Sequence, residues 1–101
     1  MVGKLMKETS PFDLHAHGGG GFVCFEVDDT VALPLLALGR ASLRIRGPAE
    51  QLTLTFEDAM VTIDGSGLRA LMEHLLAGQV KAIRPGRFEA CCVEHLHLVD
   101  A

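Results

Sequence analysis

Between residues 43 and 64, apolar and polar side chains alternate in three consecutive runs, and this pattern constrains the fold more tightly than anything else in the chain. Leu43 and Ile45 alternate with Arg44 and Arg46. Leu52, Leu54 and Phe56 alternate with Thr53, Thr55 and Glu57, and Val61 and Ile63 flank Thr62. A period of two places the two sets of side chains on opposite faces of an extended strand, so each run reads as a strand with one buried face. Gly47-Pro48-Ala49-Glu50 and Glu57-Asp58-Ala59 separate the runs and carry turn chemistry. Connections this short join antiparallel neighbours, which predicts a three-stranded meander with one apolar face.

At Gly65 the period changes. Leu68, Leu71, Met72, Leu75 and Leu76 follow one helical stripe, while Arg69, Glu73 and His74 lie off it. With Ser66 as N-cap and Gly78 as the residue past the C-terminus, the spacing predicts a helix over 67–77. Further strands are expected over 22–27, where Val23, Phe25 and Val27 alternate with Cys24 and Glu26, over 80–84, and over 88–99. Residues 30–39 are apolar almost throughout but contain Pro34, and fit either a short helix or an irregular edge strand. Residues 1–21 show no period and end in Gly18 to Gly21, so they read as a flexible N-terminal arm preceding a single domain over 22–101. The expected class is α+β: one antiparallel sheet of about five to six strands packed against one main α-helix, with Leu71 and Leu75 in the core.

Hydrophobic residues make up 49% of the 101, with no Trp or Tyr and 5 Phe, so the core must be aliphatic. A chain of this size buries only about two thirds of its unfolded surface. The segment Val31-Ala-Leu-Pro-Leu-Leu-Ala-Leu38 is apolar on every side, more than one sheet and one helix can cover. A homodimer is therefore expected, with Leu33, Leu35, Leu36 and Leu38 at the interface and the edge of the final strand as the alternative surface. The net charge of -4 argues against nucleic acid as a partner, despite local clusters at Arg40, Arg44 and Arg46 and at Lys81, Arg84 and Arg87. The three cysteines, Cys24, Cys91 and Cys92, have no disulfide or CxxC spacing, and no apolar run approaches the roughly 20 residues of a spanning helix. These features predict a soluble, cytoplasmic protein with no signal peptide and no membrane partner.

Chemistry has few footholds. His17-Gly18-Gly19-Gly20 resembles the oxyanion segment of lipases and esterases, but the G-x-S-x-G elbow is missing and Ser66 lacks that spacing. Gly65-Ser66-Gly67 stands before a helix, where amides attract anions, yet it lacks the Lys-Ser/Thr ending of a phosphate loop. Two His-x-His pairs, His15/His17 and His95/His97, could supply metal ligands, because i and i+2 side chains project from the same face of a strand. The first pair is similar to the His-x-His of cupins but lacks their following Glu. Three functions follow from this reading. The first is a non-catalytic domain that self-associates or binds a partner and needs no cofactor. The second is a metal-binding protein using His15, His17, His95 and His97. The third is a small-molecule binder or small enzyme with its site between helix and sheet and Arg84, Arg87 or His74 at the mouth.

Overall fold

The computed structural model describes residues 10–16 and 21–100. In chain order the elements are β1 (Phe12–Leu14), β2 (Phe22–Glu26), β3 (Thr30–Pro34), a 3-10 turn (Leu35–Ala37), β4 (Leu38–Arg46), β5 (Ala49–Phe56), β6 (Ala59–Ser66), α1 (Leu68–Leu76), β7 (Val80–Ile83), β8 (Gly86–Phe88) and β9 (Cys91–Asp100). The strands form two sheets. One has five strands in the order β4-β5-β6-β9-β8, and the other four in the order β1-β7-β2-β3.

The meander expected over 43–64 is present as β4-β5-β6, with Leu43 opposite Leu52 and Leu52 opposite Ile63. A two-residue loop, Gly47-Pro48, joins β4 to β5, and Gly47 has the positive φ of 59° that primed hairpin turns require. The final strand pairs antiparallel to β6, with Ile63 opposite Leu96. The inner face of this sheet carries Leu52, Leu54, Phe56, Val61 and Ile63, all buried.

The α+β class with a single sheet does not hold: the protein is mostly β, and residues 22–34 and 80–83 build a second sheet in place of extending the first. β2 runs antiparallel to β3 but parallel to β7, and β1 adds to the far side of β7. The physical reason is economy of burial. Val23, Phe25, Val80 and Ile83 join the same core cluster as Leu52, Ile63 and the helix, and Phe25 meets Phe56 edge-on at 5.9 Å across the two sheets. One helix could not cover five strands of aliphatic side chains, and a second sheet does so with it. The arm expected over 1–21 is also reduced, since β1 is a strand bonded to β7; residues 1–9 and 17–20 of that arm lie outside the described residues.

The helix buries Leu68, Leu71 and Leu75, as its stripe predicts, while Leu76 is 63% exposed at the edge of that stripe. Gly78 has a φ of 73° just past the helix and its N–H donates to the Leu75 carbonyl, which is the expected C-terminal arrangement. The N-terminus differs from expectation. Ser66 ends β6, Gly67 takes the cap position with φ 63°, and the side chain that accepts the Leu68 N–H is Glu50 Oε1, at 2.8 Å from β5. A Cβ on Gly67 would lie 2.0 Å from the Ala90 carbonyl oxygen, and one on Gly65 1.9 Å from that of Cys92. Both glycines therefore serve the close approach of β6 to the start of β9.

Candidate functional site

The corner between β3 and β4 is where the two sheets hand over the chain. Pro34 lacks an N–H and ends β3; Leu35 then donates its N–H to the Gly21 carbonyl at 2.8 Å, and the chain turns once before β4 begins. In that single turn Leu35, Ala37 and Leu38 reach back to the core, so Leu36 between them has to point away. It is 99% exposed. No other large hydrophobic side chain among the described residues is bared to this extent.

Beside Leu36 runs a groove of about 430 Å³ between this corner and the end of α1. Leu35, Leu38 and Leu75 contribute apolar walls, Leu36 and Leu76 stand exposed along it, and Arg40 is the only charged side chain among the described lining residues. Of the residues expected at an interface, Leu35, Leu36 and Leu38 are thus brought together, while Leu33 sits half-buried on β3 against the core. Leu76 and the wall formed by the helix end were not anticipated. The stripe assigned Leu76 to the core, although its place one residue beyond Leu75, about 100° around the helix, already put it at the margin. The alternative edge, that of the final strand, is covered in part: β9 is flanked by β6 and, over Cys91 to Val93, by β8, while 94–100 have β6 on one side alone among the described residues.

The other candidates are scattered. His95 and His97 are exposed on the outer face of the five-stranded sheet, opposite Asp64 and Thr62 on β6, while Leu96 and Leu98 face the core. His15 lies at the end of β1 in the other sheet; its N–H donates to the Gln79 carbonyl, and its ring Nε2 is buried with no hydrogen-bond partner among the described residues. His17 lies outside the described residues, as do Gly18 to Gly20 of the glycine run. Among the described residues no three His, Cys, Asp or Glu side chains are placed to share a metal ion.

Cys91 and Cys92 are buried, and burial, together with the neighbouring Cys92 and Glu50, pushes the Cys91 thiol up to about 11, which keeps it protonated at neutral pH and a poor nucleophile. The Glu50 carboxylate at the start of α1 fills the position an anion would take there, so Gly65-Ser66-Gly67 is a structural junction. Arg84 is a clamp. Its guanidinium bonds Asp13 on β1, Glu26 on β2 and the Ser10 carbonyl, which ties β1 to the sheet and holds the Asp13 carboxyl below its ordinary range. His74, in contrast, lines a cleft beside α1. No helix among the described residues is long and apolar enough to cross a membrane. Compared with family models, curated proteins and solved structures, the chain matches none.

Proposed function

We propose that this protein works by self-association, as a homodimer whose interface is the Leu35–Leu38 corner and the adjoining groove. The observation that carries the reading is Leu36, a leucine 99% exposed at the lip of an apolar groove. Burying one leucine side chain contributes about 1.5–3 kcal/mol, and a monomer leaves that unrealised. A twofold axis beside the corner lets each copy seat its Leu36 in the groove of the other, so the same patch supplies both the knob and the hole. A second copy is the occupant favoured because the surface is self-complementary in chemistry, apolar against apolar. The adjoining β3 is an edge strand with no charged side chain along Thr30–Pro34 to repel an identical strand.

Light scattering coupled to size exclusion tests the reading at tens of micromolar protein. The wild type should elute with twice the chain mass, Leu36→Asp with the mass of one chain, and Ser42→Asp, further along the edge strand β4, should remain a dimer. A wild-type mass of one chain would refute self-association.

A further inference from the structure

We propose that the cleft between β1, α1 and the β8–β9 turn binds a small organic cation with a flat apolar body. Three elements from distant parts of the chain converge on it, and its volume is about 440 Å³, within the range of roughly 300–1,000 Å³ usual for small-ligand sites. The hollow exists because the helix shows it only small side chains, Gly67 and Ala70, before His74 one turn further on. Phe12 from β1 and Phe88 from β8 both line it, and Phe88 is 56% exposed, so aromatic surface is open to a ligand.

The polar groups decide the ligand's charge. Glu89 is the only carboxylate on the lining, and no Lys or Arg lines it among the described residues. Glu89 is also held in the left-handed region, at φ 54°, in the two-residue turn between β8 and β9, a conformation uncommon for a non-glycine residue. The Ala90 carbonyl packed against Gly67 fixes this turn against the helix start. His74 Nδ1 lies 2.9 Å from Gln79 Oε1 and its ring tilts on Phe12 at 5.6 Å; with the proton on Nδ1, Nε2 accepts a hydrogen bond. Two acceptors and two aromatic faces suit an aromatic amine through ion pairing and cation–π contact, and repel a carboxylate.

The probe is tryptamine, with indole and indole-3-acetate as neutral and anionic counterparts, followed by amide chemical shifts of the full chain. Tryptamine should give saturable shifts confined to β1, the first two turns of α1 and the β8–β9 turn, should bind more tightly than indole, and indole-3-acetate should not bind. Glu89→Gln should erase roughly threefold or more of the preference for tryptamine over indole. Ala70→Leu fills the hollow on an exposed helical position, and should abolish binding while leaving the melting temperature unchanged. Leu36→Asp, at a residue that lines the groove and not the cleft, should bind tryptamine as the wild type does, which separates this site from the proposed dimer. Absence of saturable shifts, equal binding of indole-3-acetate, or binding retained in Ala70→Leu would overturn the assignment.

Discussion

Two open edges of this protein, β3 and β4, are consecutive in the chain and opposite in character. β4 is an edge of nine residues, and it turns Arg40, Arg44 and Arg46 outward. β3 is an edge of five residues with no charged side chain, ending in Pro34 and followed by the bared Leu36. Like charges along an edge repel a second copy of it, and a long unprotected strand edge would otherwise template pairing. The arginines defend β4, while β3 and the corner after it lack that defence and carry apolar surface instead. Under the proposed self-association, the difference would suppress pairing where the strand is long and permit it where the surface is small and shaped.

The sharpest way to break this comparison is Leu36→Asp. Each dimer would lose two buried leucines, about 3–6 kcal/mol together, enough to give monomers at micromolar concentration in a sedimentation experiment. Leu71→Ala provides the contrast, since it touches neither edge: Leu71 is fully buried in α1, and truncation should cost about 2–5 kcal/mol of fold stability in chemical denaturation. If both variants lowered stability and neither changed mass, the corner would be part of the core and the reading of two unlike edges would fail.

Replacing Arg44 and Arg46, which do not line the groove, with Thr should have a smaller effect in the other direction. An undefended β4 edge should add species larger than the dimer, visible as a concentration-dependent rise in scattering mass. A double variant that stayed at the wild-type mass would show that these arginines do not guard that edge.

The smallest expected effect concerns β1, a third edge, which is short and held by Arg84. The Asp13 carboxyl is lowered from its ordinary 3.8, chiefly by its bond from Arg84, so its folded form is the less readily protonated one. Its stabilising contribution is therefore complete above 3.8 and is lost as pH falls through the lower folded value. Asp13→Asn should lower the melting temperature slightly at neutral pH and make it less sensitive to acidification below 3.8. An unchanged acid profile would mean that Arg84 holds β1 through its bonds to the Ser10 and Pro11 carbonyls, without Asp13.

Much of the five-stranded sheet was legible because its information is local. Alternation from Leu43 to Ile63, the Gly47-Pro48 loop and the stripe of Leu68, Leu71 and Leu75 each specify structure within a few residues. The second sheet was not legible, because its pairings are distant: Cys24 and Phe25 lie beside Ala82 and Ile83, and Phe12 beside Ile83. Alternation tells a strand which face to bury and is silent on which strand to join. For the same reason Ser66 looked like a cap, while the group that caps α1 comes from Glu50, 18 residues away. Composition alone suggested surplus apolar surface at 31–38, but three of its leucines turned inward, and the single turn after Pro34 singled out Leu36.

The most direct measurement is an isotope-filtered nuclear Overhauser experiment on a mixture of labelled and unlabelled chains, reading contacts that cross between copies. The account predicts cross-copy contacts from the Leu36 methyls to the methyls of Leu38, Leu75 and Leu76 in the other copy, and none from residues of β4 beyond Arg40. Cross-copy contacts along Ser42 to Arg46 with silence at Leu36, or no cross-copy contacts at all, would contradict it.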